Sequence, residues 1–267
     1  SGGSPHTFSM KPSQAAILGN AELVFWVGAG LEFFLKKPVK TIASNALSVE
    51  LMHVQGLTKL KFRRKKDFET PIFGGHQEEG ENVSKNEHTN HDHGKFDPHI
   101  WLDPVNAKVL VHEIKRILVQ VDPGNMKRYV LNAKATIDKL DKLLREVQKI
   151  LLPVNGKGFL VFHDGYQYFE KRFGLFVAGS VTGTSEVAVG AGRLAEIRAK
   201  LKKLGPTCVF TEPQFTPKLA SQITEGTNVK LGVIDPLGLE LEAGPELYFS
   251  VIRNIAVKIR NCLSGTQ

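Results

Sequence analysis

The chain has 267 residues, 42% hydrophobic and 23% charged, an ordinary composition for a globular protein able to hold one large α/β domain or two small ones. No apolar run reaches the roughly 18 residues of a membrane-spanning helix, so the sequence predicts no span. A net charge of +8 raises the possibility of nucleic-acid binding, but the basic residues cluster only in KLKFRRKK (59–66), with a single aromatic, Phe62. No further basic stripe or stacking aromatic extends that patch, so it reads as a solvated surface or protein-docking segment rather than a phosphate track.

The chain opens on SGGSP, which reads as a loop, with no basic n-region, apolar h-region or cleavage site of an export signal. ELVFWVG (22–28) predicts a buried strand, followed by a short helix around 30–37. Residues 74–97 change character: GGHQEEGENVSKNEHTNHDHGKFD is polar, acidic and nearly free of apolar side chains, which predicts disorder. Four of the nine histidines fall there, His76, His88, His91 and His93, interspersed with carboxylates. Such a tract reads as auxiliary metal capture. Residues 104–121 form an amphipathic helix opening at Pro104.

Val130, Ala133, Ile137, Leu140, Leu144, Val147 and Leu151 then recur at spacings of three and four, one apolar stripe down a long helix. Asp122-Pro123-Gly124 opens it and Pro153 closes it. The expected span, 124–152, would run roughly 40 Å and form a spine between two lobes. Beyond it strands (159–162, 175–180, 208–211, 230–234) alternate with helices (165–173, 192–204, 216–225, 245–262). That order predicts a parallel, doubly wound sheet. The expected organisation is an N-terminal lobe over 1–123, a spine helix over 124–152 and a C-terminal lobe over 153–267.

The chemistry sits at element boundaries. His163, in VFHDGY, follows an apolar strand, and Asp235, in LGVIDPLG, follows another in the same lobe; ligands of open α/β sheets bind at that edge. His6 in SPHTF and His99 in DPHIWLDP also stand at boundaries. His112 falls on the helix 104–121 and reads as a surface residue, and His53 reads as structural. Glu212 and Asp164 are candidate partners for fixing imidazole tautomers. Cys208 and Cys262 read as two buried thiols or, in an exported chain, as a disulfide.

In family order, the strings SPHTFSMKPSQ, AELVFWVG, the His-rich acidic loop, HIWLDP, FHDGYQYFEKRFG, TCVFTEPQF and DPLG cover essentially the whole chain. Together they resemble the periplasmic zinc-binding proteins of bacterial high-affinity zinc ABC transporters, within the metal-specific solute-binding proteins. The resemblance implies two Rossmann-like α/β lobes joined by one spine helix, capture of Zn²⁺ between them, and delivery to a membrane permease. It implies a monomer in the periplasm, with no catalysis and no nucleic-acid partner. His6, His99 and His163 match the imidazole ligands, Asp235 the acidic C-lobe position, and Cys208 and Cys262 a disulfide of the zinc branch. Manganese-binding relatives carry glutamate where this chain has His163, and three imidazoles favour Zn²⁺ over Mn²⁺. Some zinc members place glutamate before the first ligand; here Pro5 stands there, leaving the fourth position to Asp235 or water. Relatives carry a leader, a strand and a helix before the SPH motif, so the first lobe is expected to be short of a strand and His6 weakly anchored. The alternatives are a manganese or iron carrier of the same family and a three-His zinc hydrolase. The hydrolase lacks support from any HExxH motif.

Overall fold

Two separate parallel sheets organise the chain. The structure, a computed structural model, describes residues 3–63, 95–182, 190–205, 207–215 and 217–265. The tract histidines His76, His88, His91 and His93 lie outside them.

After a helix α1 (Pro12–Gly19), β1 (Leu23–Trp26) and β2 (Leu47–Glu50) pair in parallel, Leu23 against Leu47 and Trp26 against Glu50. Val24 and Trp26 alternate onto one face and bury against Val39 of α2 (Pro38–Thr41) and Ala43. The helix expected over 30–37 is instead a 3-10 turn at Phe33–Leu35 followed by α2. Pro38, which has no N–H to donate to the preceding turn, is tolerated in the first turn of the next helix and marks where α2 begins.

α3 (Pro104–Val121) begins where expected. Asp103 caps it by accepting the Val105 N–H at 2.8 Å, and Pro104 takes the first turn, where no N–H is needed. The long helix α4 runs Met126–Leu151, about 39 Å at 1.5 Å per residue. Its buried face is Ala133, Leu140, Leu143, Val147 and Leu151. Leu143 was absent from the expected stripe, and Val130, which the stripe included, is 47% exposed. The buried face is wider than one stripe because α4 packs against both α3 and α8 (Leu247–Ser264).

The second sheet comprises β3 (Gly158–Val161), β4 (Phe176–Ser180), β5 (Cys208–Thr211) and β6 (Lys230–Val233), all parallel, in the order β4-β3-β5-β6. α5 (Gln167–Phe173), α6 (Ala191–Leu204) and α7 (Pro217–Thr224) lie between successive strands. Alternation along β3 and β5 feeds two cores. Phe159, Val161 and Phe210 pack with α4 and α8, whereas Leu160, Phe162 and Val209 pack with Ile197, Leu201 and Ile223 of α6 and α7. Because β3 sits inside the sheet and its neighbours lie on opposite sides, the topology reverses between β3 and β5. Loops leaving those two strands diverge and leave a crevice at their carboxyl ends. Cys208 on β5 and Cys262 on α8 are joined by a disulfide.

The basic stretch departs from expectation. Lys61 is exposed, but the Arg63 side chain turns inward and is buried, held by the carboxylates of Asp164 and Glu170. Two buried acids on the facing segment recruit this arginine inward. They lie about 100 positions further along the chain and carry no local signal.

Candidate metal centre

His163 is the second residue beyond β3, at the crevice, and Glu212 is the first beyond β5. The two strands flanking the reversal point thus deliver one imidazole and one carboxylate. The pair meets: His163 Nδ1–H donates to Glu212 Oε1 at 3.2 Å, both side chains fully buried. Gln214 donates to the other Glu212 oxygen. With Nδ1 carrying the proton, His163 Nε2 keeps its lone pair, and that buried atom has no hydrogen-bond partner. A buried nitrogen acceptor left this way costs about 1–3 kcal/mol. The cost is recovered when a cation binds.

His99 reaches the same point from the other side. It stands at the entry of a 3-10 turn (Ile100–Leu102) just before α3. Asp97, two residues earlier and fully buried, accepts both the His99 backbone N–H at 2.9 Å and its Nδ1–H at 2.6 Å. His99 Nε2 therefore also points its lone pair inward. His6, half-buried in a turn whose Ser4 hydroxyl accepts the His6 N–H at 3.3 Å, brings its Nε2 to 3.2 Å from His99 Nε2. The three ring centroids are 4.8–5.5 Å apart. One nitrogen from each ring lies within 4.8 Å of the others, and no other His/Cys/Asp/Glu group of this kind occurs among the described residues. Tetrahedral Zn–N bonds of about 2.05 Å place ligand nitrogens roughly 3.3 Å apart. The His6–His99 separation already matches this.

The surrounding shell is small. A cavity of about 10 Å³ is lined by the three imidazoles with Ser4, Trp101, Glu212 and Leu237 among others, room for about one water or one ion. Gly165 permits this closeness: a Cβ there would sit 2.7 Å from His163 Cε1 and 3.1 Å from His99 Nε2. Trp101 packs beside His99 and donates its indole N–H to Pro236 O at 3.0 Å.

The electrostatics favour a cation. Burial pulls His163 toward its neutral form, but the bonded Glu212 carboxylate, aided by Asp164 and Asp97, outweighs burial and raises its pKa. Burial pushes Asp97 up, yet the His99 charge and hydrogen bonds hold it below the usual carboxylate range. Tyr166, buried beside Glu212, is raised well above its usual range by burial and by that carboxylate.

Of the residues singled out in the sequence, His6, His99 and His163 come together. Asp235 is not in the convergent group: its Oδ1 accepts the Leu237 and Gly238 N–H groups, each at 2.9 Å, and its Oδ2 that of Leu239 at 2.5 Å. It holds the turn bearing Pro236 and Leu237, which line the cavity. Glu212 fixes His163 as considered, whereas Asp164 turns to Arg63 instead of an imidazole. Asp97 was missed. Its signal was the D-P-H spacing, which lets a carboxylate fold back on the imidazole two residues later. His112 is exposed, as expected, and so is His53, which lies 3.7 Å from Glu50 and has no core role.

A family model for the zinc-uptake complex component A, periplasmic (ZnuA), matches residues 1–262. The high-affinity zinc uptake system protein ZnuA of Brucella suis biovar 1 (strain 1330) is 46% identical, over 98% of this chain and 83% of its own length. The protein of the same name from Yersinia pestis is 35% identical over 98% of this chain and 82% of its own. Among solved structures, a crystal structure of a ZnuA deletion mutant with zinc bound superposes with a TM-score of 0.75 at 26% identity. That match covers 97% of this chain and 85% of the other.

Proposed function

Because the chain belongs to the family of ZnuA, the periplasmic component of zinc-uptake complexes, we propose that it captures Zn²⁺ between its two lobes and delivers it to an ABC permease. The observation that carries the reading is the convergence of three imidazole nitrogens, one of them buried and unpartnered, in a cavity the size of one ion. His6 and His99 approach from the side of the first sheet and His163 from the second, so one ion closes the crevice. The donor set is three neutral nitrogens with water in the fourth position. Asp235 engages three backbone N–H groups and stands outside the convergent group. Nitrogen donors favour Zn²⁺ over Mn²⁺, so a manganese-carrying role is disfavoured by the ligands themselves. No helix among the described residues is long and apolar enough to cross a membrane, in keeping with a periplasmic carrier that meets its permease at the membrane surface. The His-rich tract would add loose metal capture. Calorimetric titration of the apo protein tests the reading. One Zn²⁺ per chain, with Mn²⁺ unable to displace it at equal concentration, is the expected result. Absence of tight 1:1 binding would end the proposal.

Two further outcomes follow from the carboxylate–imidazole pairs. D97N and E212Q keep the shape of each pair but weaken the orientation and basicity of the ligand. Each is expected to weaken zinc binding about 10–100-fold, and unchanged dissociation constants would refute the assigned roles. The pH dependence has a defined sign. A protonated imidazole cannot bind zinc, and the His163 pKa is raised. Affinity should therefore be complete well above that pKa and fall as pH drops through it, with the loss beginning above pH ~6.5, the ordinary imidazole value. Below it, each proton displaced costs about tenfold in affinity per pH unit. Titrations from pH 8 to pH 5.5 that show a flat affinity would contradict this.

A further inference from the structure

Behind the metal centre lies a second buried polar assembly. The segments around residues 60 and 97 run antiparallel: Asp97 N–H donates to Leu60 O at 2.8 Å, and Lys61 bridges to Phe96. Both are fastened to α5. The Tyr168 hydroxyl donates to Asp97 O at 2.8 Å and accepts the Leu60 N–H at 3.0 Å; Gln167 donates to Lys61 O and to Asp97 Oδ2. This ledge carries two side chains toward the ligands. Asp97 holds His99. Arg63 holds Asp164, the residue next to His163, through Nε at 3.1 Å and through Nη2. The same guanidinium donates in a fork to Glu170 of α5, Nη1 at 2.6 Å and Nη2 at 2.8 Å. All three side chains are at most 8% exposed. The Asp164 carboxylate accepts from Arg63 at both of its oxygens.

We infer that Arg63 is a positioning residue for zinc: its bidentate fork fixes the 163–165 ligand loop against the ledge that carries Asp97 and His99, setting the separation of the two buried imidazoles. The inference rests on the three-imidazole site proposed above. A planar guanidinium can bind two carboxylates at fixed angles, whereas an ammonium supplies the charge without the fork. Charge balance and geometry can therefore be separated by substitution. Without the fork, Asp164 rotates, the tight turn at Gly165 loosens, and His163 Nε2 no longer waits at ligating distance from its partners. A residue acting through its neighbours in this way typically changes metal affinity about 10–100-fold.

The test measures zinc dissociation constants and off-rates for wild type, R63K and the charge-free triple variant R63M/D164N/E170Q, with thermal stability of each apo protein recorded alongside. R63K keeps the buried charge count; the triple variant removes all the charges and so avoids stranded carboxylates. The expected result is weaker zinc binding and faster release in both, about 10–100-fold, even in whichever variant keeps the apo melting temperature of wild type. Wild-type affinity and off-rate in R63K or in the triple variant would overturn the inference, because the fork would then serve the fold alone. H163A separates the two levels of the argument. If wild type binds zinc and H163A does not, an unchanged R63K removes only the positioning role. If wild type binds no zinc, the three-imidazole site itself falls.

Discussion

Substituting His163 by alanine is expected to abolish tight zinc binding while leaving the protein folded. The proposed donor set has three imidazoles, and structural zinc sites in peptides bind the ion with about 10–16 kcal/mol of apparent free energy. Losing one nitrogen of three removes roughly 4 kcal/mol, about a thousandfold in dissociation constant. His163 has the largest expected effect for two reasons. Among the described residues it is the one member of the proposed donor set that follows a strand of the second sheet, so its loss would disconnect that sheet from the ion. It is also buried with its Nε2 unpartnered, so its replacement frees the apo protein of an unsatisfied acceptor. The same substitution removes the donor to the buried Glu212 Oε1, a loss that opposes this gain, so the apo form of H163A should stay folded with a modestly shifted melting temperature that zinc no longer raises. Calorimetry and thermal denaturation with and without zinc check both halves. Retention of wild-type affinity in H163A would place the ion elsewhere. H6A should lose less, since His6 is only half-buried.

Much of this site was legible because its signals are local. An apolar run followed by His163, and another followed by Asp235, marks carboxyl ends of strands, and the alternation of strands and helices identifies a parallel sheet whose edge binds ligands. The long amphipathic stretch from Val130 to Leu151 marks the spine helix. What stayed hidden is held by contacts distant in sequence. Arg63 sits in a run of basic residues that reads as solvated, yet its partners are 101 and 107 positions away. No periodicity announces such a pairing. Asp235 illustrates the opposite failure. Its position after a strand is right for a ligand, but the same loop offers it three backbone N–H groups. A carboxylate that satisfies a turn is indistinguishable in sequence from one aimed at a metal. The strand β2 was missed because LSVE, although it alternates apolar and polar residues, runs for only four positions and its side chains are exposed or half-buried.

Reducing the Cys208–Cys262 disulfide should lower thermal stability substantially while leaving zinc affinity nearly intact. The bond closes a loop of 54 residues in sequence separation and ties α8 to the first residue of β5. On the chain-entropy model, removing that constraint from the unfolded state costs about 4 kcal/mol, a fall in melting temperature on the order of 10 °C for a chain of this size. The crosslink acts at the amino end of β5, and Glu212, which orients His163, lies four residues further on. At ~3.3 Å per residue that is about 13 Å away, at the opposite edge of the sheet. The Glu212–His163 hydrogen bond is held locally by Phe162 N–H donating to Phe210 O and by the flanking strand pairing, none of which needs the crosslink. The reduced protein should therefore bind zinc with nearly unchanged affinity at 25 °C, and saturating zinc should raise its melting temperature, since the ion binds only the folded form. The comparison is best made on one sequence, with and without a thiol reductant that does not chelate metal, alongside the double variant C208A/C262A. A reduced protein that melts with the oxidised one would show that the loop is already constrained in the unfolded chain. A large loss of zinc affinity on reduction would instead mean that β5 shifts as a unit and that the disulfide sets the site as well as the fold.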